Sequence, residues 1–371
     1  MKYLNLFLGL LVVSNIWCGC IYQTEEDILV VDANTKNDSI SIDDVFSKIE
    51  VIPLETADEC LMSGVDKICV EGGFIYILDK RMYNILKFDA TGAFIHKLNK
   101  KGVGPDCYSD IEDFFVDPSN LNISTLSAYG KYNIYDDKDS LIYSNRIRYQ
   151  AVHYFFPINS DLLALSSLCK DGRLLIYSLK KNRILQDFKM SEEFLLCKTP
   201  YKSIQSPFRK VEGRLLFLSS IEKRIYEVMQ DGKLKIESQF SFGKDDYDAR
   251  KLPADEEIPY YSNENKGLKK IYCLSDYAET DNWIMLHYPY DYGFNTLFIN
   301  KENKKQRYLF NKRNNVLIYY PFFVNRECLY SIVSLSDLKR IVKREWLSNA
   351  TWEYLDSLPI DSNPLIIKYS F

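Results

Sequence analysis

The chain has 371 residues, more than one ordinary domain needs but a normal size for a single large all-β ring of repeats. A formal net charge of −4, from 47 basic and 51 acidic residues, supplies no basic excess and argues against a nucleic-acid surface. Aromatic residues make up 14%, with 28 Tyr and 21 Phe, a composition that suits pleated strands and leaves rings available for stacking on carbohydrate.

In chain order, the first segment is not part of the fold. Lys2 gives a charged start, and Leu4 to Trp17 form an apolar run interrupted by Asn5, Gly9, Ser14 and Asn15. Gly19 then places a small residue directly before Cys20, the order of a secretory signal. The run is shorter than the roughly 20 residues that span a bilayer, so an uncleaved anchor is the least favoured of three readings. An ordinary cleaved signal ranks above it. The cysteine at the cut resembles a bacterial lipoprotein signal, the favoured reading. This implies removal of residues 1–19 and lipidation of Cys20 as the new N-terminus. Cys18 is the weaker candidate because bulky Trp17 precedes it. Gln23-Thr24-Glu25-Glu26 resembles the signal that sends some Bacteroidota lipoproteins to the outer face of the outer membrane. Residues 20–46 then read as a polar tether, with the membrane as a partner through the lipid. The alternative is a protein facing the periplasm.

A strand grammar follows. Gly73–Asp79, Asn84–Asp89, the turn Asp89-Ala90-Thr91-Gly92 and Ala93–Asn99 read strand, strand, turn, strand, with Gly92 free to take the positive φ that closes the hairpin. The unit recurs over 122–145, 162–188, 214–240 and 282–310, and begins again at Cys328. Equivalent points at Phe74, Leu121, Leu162, Leu215, Trp283 and Leu329 are spaced roughly 40–50 residues apart, with one longer gap. Such a period, with several strands per unit, predicts a six-bladed β-propeller with four-stranded blades over 47–371. The strand-like stretches 48–55 and 364–371 are expected to close the ring by sharing the last blade. The longer gap holds the polar stretch 244–270, read as a surface loop. Helices are expected from near Ser336, with Leu338, Ile341 and Val342 on one side, and around Trp352 and Leu355.

The segments 52–56, 75–79, 85–94, 100–108 and 363–369 together resemble the six-bladed, NHL-like β-propeller lipoproteins of Bacteroidota. The most specific piece is the first-blade exit loop, where Gly102, Gly104, Pro105 and Tyr108 match the family pattern. Asp106 and Cys107 stand where that pattern has glycine and glutamate. Gly102 and Gly104 are therefore read as serving a tight turn between blades. The resemblance implies an envelope lipoprotein without an established reaction.

Catalytic spacing is lacking. His96, His153 and His287 form no HxH or HExxH pair, and the cysteines beyond Cys20 (Cys60, Cys69, Cys107, Cys169, Cys197, Cys273 and Cys328) form no CxxC. No GxSxG elbow or phosphate-cradling glycine loop occurs. The acidic cluster Asp245, Asp246, Asp248, Asp255, Glu256 and Glu257 lacks the glycine and terminal glutamate of a calcium loop and reads as solvated. No cofactor is implied. Aromatic clusters remain: Tyr260-Tyr261, Tyr288 to Tyr292 and Tyr319 to Phe323. Tyr260, Tyr261, Tyr290 and Tyr292 are the residues expected at an exposed rim. The sequence thus points to a binding or interaction module for a glycan, a peptide or an envelope protein. The alternative is a propeller hydrolase or lyase using carboxylates in the central channel.

Overall fold

The computed structural model describes residues 21–22, 28–30, 44–149, 152–166, 174–189, 206–247, 270–271, 273–290, 293–310, 318 and 322–371. Two short strands come first, β1 (Ile21–Tyr22) and β2 (Ile28–Val30), followed by β3 (Lys48–Pro53). Blade 1 holds β4 (Lys67–Glu71), β5 (Phe74–Asp79), β6 (Asn84–Phe88) and β7 (Phe94–Leu98). Blade 2 holds β8 (Asp113–Val116), β9 (Ile123–Leu126), β10 (Lys131–Tyr135) and β11 (Leu141–Arg146). Blade 3 holds β12 (Tyr154–Pro157), β13 (Leu162–Ser166), β14 (Leu174–Ser178) and β15 (Arg183–Phe188). Blade 4 holds β16 (Phe208–Val211), β17 (Arg214–Ser219), β18 (Arg224–Val228) and β19 (Leu234–Ser241). Blade 5 holds β20 (Asp276–Glu279), β21 (Trp283–Tyr290), β22 (Gly293–Asn300) and β23 (Gln306–Phe310). Blade 6 takes β24 (Phe322–Val324), β25 (Cys328–Val333) and β26 (Leu365–Ser370) from the C-terminal end and β3 from the N-terminal end.

This is a six-bladed β-propeller, each blade four antiparallel strands, with β1 and β2 added to the sheet of blade 4. A single blade cannot bury both faces, so each packs on its neighbours. The hydrophobic core accordingly consists of slabs between consecutive blades. Leu78, Leu98 and Phe114 lie between blades 1 and 2, and Ile176, Phe217 and Tyr226 between blades 3 and 4. The closing pair is in register from Lys48 opposite Ser370 to Pro53 opposite Leu365, so both chain ends build one blade, as expected from their strand-like composition.

Between β25 and β26 the chain makes α1 (Leu335–Ile341) and α2 (Asn349–Ser357). Ser334 and Ser348 cap them, each hydroxyl accepting the N–H three residues on, from Asp337 and Thr351. Leu335, Leu338, Trp352 and Leu355 dock onto the slab between blades 5 and 6.

The N-terminal stretch expected as a tether is attached to the ring at two points. β1 and β2 both run parallel to β19, with Ile21 opposite Leu234 and Leu29 opposite Phe240. The physical reason is the outer edge of β19, whose unpaired N–H and C=O groups are covered by the chain's own backbone. Most of the 244–270 stretch lies outside the described residues. Two of its acids are not solvated as expected: Asp245 is buried, and Asp246 accepts the Phe242 N–H at 2.7 Å and pairs with Lys223 at 3.3 Å.

Candidate functional site: the central channel

The innermost strands β4, β8, β12, β16, β20 and β24 surround the ring axis. They are short and carry the residues that face the channel. A cavity of about 600 Å³ is lined by β4, β8, β12, β16 and β24 and by the turns that follow several of them, at Gly72-Gly73, Glu212-Gly213 and Asn325-Arg326. Phenylalanines make up much of its wall. Phe115 and Phe156 stack edge to face at 4.8 Å, and Phe156 lies 6.3 Å from Phe208; Phe322 and Phe323 line it from blade 6. Glu71, Lys210, Glu212 and Arg326 add charges of both signs to its lining.

Two ion pairs, in blades three apart, tie neighbouring innermost strands together. Lys67 Nζ of β4 donates to Asp113 Oδ1 of β8 at 2.6 Å and to the Phe114 carbonyl at 2.7 Å. Arg209 of β16 pairs with Asp276 of β20 and also donates to the carbonyls of Ser206 and Phe208. The two aspartates are equivalent first residues of their strands, each 1% exposed and each accepting the N–H of the next residue. Burial pushes both carboxyls upward, while Lys67 and Arg209 pull in the opposite direction. They differ in one respect. Asp113 Oδ2 accepts the Phe155 N–H from blade 3 at 3.1 Å, whereas Asp276 Oδ2 accepts no hydrogen bond from the described residues.

This geometry bears on the hydrolase or lyase alternative, which needs inward carboxylates converging on one point. Asp113 and Asp276 lie in different parts of the ring, and each is held by a cation. Among the described residues no group of three or more His, Cys, Asp or Glu is placed to hold a metal ion. The Cys69 thiol lines the channel, but burial pushes it up to about 12, so it stays protonated and a poor nucleophile. What the channel offers chemically is an aromatic-walled recess.

Of the residues singled out from sequence, Cys20, Tyr260, Tyr261 and Tyr292 lie outside the described residues. Tyr290 is half-buried rather than free at a rim, packed against the slab that contains Phe242 and Tyr288. Gly102, Gly104, Pro105 and Tyr108 form a closed loop on the way to blade 2. Gly102 N–H donates to the Tyr108 carbonyl at 3.0 Å and Tyr108 N–H to the Lys100 carbonyl at 3.0 Å. A Cβ at either glycine would come within 3.1 Å of Cys107 Sγ, so close approach, not a left-handed backbone, accounts for both. Tyr108 is buried, and its hydroxyl accepts the Lys100 N–H while donating to the Tyr83 carbonyl. Sequence reading missed Lys67, Asp113, Arg209 and Asp276. The available signal was the parallel between Ile111-Glu112-Asp113-Phe114 and Leu274-Ser275-Asp276-Tyr277.

The family described as "Domain of unknown function (DUF4934)" matches residues 26–370. No curated protein matches the chain. Among solved structures, a protein from Bacteroides fragilis described as exported is similar at TM-score 0.70 and 18% identity, over 92% of this chain and 99% of that one. A member of the DUF4221 family from Bacteroides vulgatus is similar at TM-score 0.52 and 12% identity, over 88% of this chain and 97% of that one. At these identities the likeness concerns the fold.

Proposed function

The chain belongs to the DUF4934 family, and from that premise we propose that it is an exported, lipid-anchored binding module whose central channel grips an apolar side chain of a peptide. The observation that carries this reading is the phenylalanine-walled cavity of about 600 Å³, with Glu71, Lys210, Glu212 and Arg326 adding charges of both signs to its lining. A recess of that size takes a large side chain together with its flanking residues, and the charges give those residues a register. Export is supported by the signal over residues 1–19 and by the exported description of the Bacteroides fragilis neighbour. No helix of the described residues is long and apolar enough to cross a membrane.

The binding test is a peptide array probed with the full chain in mild detergent. Phe156→Ala is expected to abolish capture of peptides with aromatic or large aliphatic residues without changing the far-UV spectrum. Unchanged capture would remove the channel as the site. For the anchor, radiolabelled palmitate should enter the wild-type chain and fail to enter Cys20→Ala. Label retained in that variant would refute lipidation at Cys20.

A further inference from the structure

We propose that the surface beside blades 2 and 3 holds a second binding site, separate from the channel, for an anionic sugar. Two adjoining depressions there, of about 500 and 620 Å³, share Tyr129, Asn145 and Arg146. Arg148 lines the first and Ser127 and Ser144 the second.

Tyr129 is 67% exposed, whereas most tyrosines among the described residues are buried, and it is displayed on a fixed support. The turn from Ser127 to Lys131 is closed at both ends: Gly130 N–H donates to the Ser127 carbonyl at 2.9 Å, and Lys131 N–H to Ser127 Oγ at 3.0 Å. The turn is then pinned to the end of β11, with Ile147 N–H donating to the Gly130 carbonyl at 2.8 Å. Gly130 has φ +79°, and a Cβ there would lie 2.5 Å from the Ile147 carbonyl oxygen, so turn and strand end are in direct backbone contact. Tyr129 is thereby held beside the stretch Arg146 to Arg148.

The charge is one-sided. Arg146 and Arg148 are exposed, and among the described residues neither has an ion-pair partner and no carboxylate lines either depression. Lys131 is committed to the carbonyls of Pro105 and Cys107. Asp110, next in sequence to the lining Ser109, is turned to the Ala128 N–H and the Ser109 hydroxyl. On a chain of net charge −4, two free guanidiniums facing open concavities select an anion, and their planar forks suit a carboxylate or sulfate. The exposed tyrosine face suits the C–H face of a pyranose, and the hydroxyl and amide lining suits its hydroxyls. Peptide side chains would instead need apolar pockets, and nucleic acid a longer basic stripe.

The test is calorimetric titration of the full chain in mild detergent with four probes. These are a galacturonate hexasaccharide, a sulfated galactan oligosaccharide, a neutral galactan of the same length, and a hexaglutamate peptide. At least one anionic sugar should bind, the carboxylate and sulfate arms telling which group is read, and the neutral sugar and the peptide should bind about 10-fold more weakly or worse. The Arg146→Ala/Arg148→Ala pair and Tyr129→Ala should each weaken anionic-sugar binding about 10-fold or more, whereas Tyr129→Phe keeps it. All three positions are on the surface, and an unchanged melting temperature confirms folding. Phe156→Ala in the channel should have no effect on this binding. The proposal is overturned if neither anionic sugar binds, if hexaglutamate binds as tightly, if the arginine and tyrosine variants are silent, or if Phe156→Ala abolishes the binding.

Discussion

Asp113 sits in a 1% exposed position where burial pushes its carboxyl upward, opposed by three donors: the Lys67 ammonium and the N–H groups of Phe114 and Phe155. Lys67→Met removes the cation and leaves the acid buried. The variant is expected to lose about 3 kcal/mol of stability at neutral pH, the scale of breaking a buried pair from one side. Burial raises the folded carboxyl and Lys67 opposes that rise, so removing Lys67 raises it further, and the deficit should shrink as pH falls and the buried acid of the variant takes up a proton. Urea unfolding at neutral pH and near pH 5 checks both parts, and a deficit independent of pH would show that lost packing, not charge, was responsible. His287 gives the opposite sign. It is buried opposite Asp276 in the β20–β21 ladder, its Nδ1 lies 3.0 Å from Thr296 Oγ1, and burial lowers it from 6.5 to about 3. The stability that neutral His287 supports is fully present above 6.5 and lost as pH falls toward 3. Replacing it by Phe should flatten the acid limb of stability against pH in that window, by up to about 1.4 kcal/mol per pH unit. Acid titration of the folded fraction measures this, and an unaltered slope would exclude His287 as a contributor.

Among the hairpins, two glycines with similar dihedrals have different surroundings. Gly92, in the β6–β7 turn, has φ +90°, and a Cβ there would lie 2.1 Å from the Pro53 carbonyl oxygen of the closing strand; Glu55 N–H donates to the Gly92 carbonyl at 2.8 Å. Gly213, in the β16–β17 turn, has φ +81° with nothing within 4 Å. Gly213→Ala should cost about 1 kcal/mol, the penalty of a left-handed alanine alone. Gly92→Ala must also push β3 away from blade 1 and should cost at least about 3 kcal/mol. Denaturant midpoints of the two variants decide; equal losses would mean that backbone conformation, not blade contact, sets the cost. These hairpins were the legible part of the sequence, because the outer three strands of each blade alternate or run apolar and end in Asp/Asn/Gly turns. The innermost strands were not legible. β24 is three residues long and β8 four, too short for a period to show. Their inward positions mix Lys, Asp and Arg with Phe, and a cation–acid pair split between blades leaves no local spacing to read. Tyr129 was equally hidden, since one tyrosine in a turn gains meaning only from Arg146 and Arg148 arriving at the end of β11.

At the scale of the ring, the weak point is the seam. The four antiparallel strands of every other blade come from one continuous stretch, whereas blade 6 joins β3 to β26 across almost the whole chain. The seam is reinforced beyond its ladder. Asn363 Nδ2 donates to the carbonyls of Glu55 and Cys60, and its N–H to Thr56 Oγ1, so the approach to β26 is tied to the loop after β3. Glu50 and Lys368 face each other on the half-exposed side of the closing pair, 3.2 Å apart. Replacing both by Cys and oxidising them would join the chain ends without disturbing a buried slab. A cross-link between Lys87 and His96, opposed in the β6–β7 hairpin, joins residues that are already close in sequence. Loop-closure entropy makes the seam cross-link the more stabilising by about 3 kcal/mol, since it removes far more freedom from the unfolded chain. If the seam opens first, the same cross-link should also slow unfolding, because a ring that cannot part at blade 6 must tear an intact blade. Unfolding rates and urea midpoints of the oxidised and reduced double variants give both readings. Equal stabilisation by the two cross-links, with unchanged unfolding rates, would show that the propeller comes apart elsewhere than at the seam.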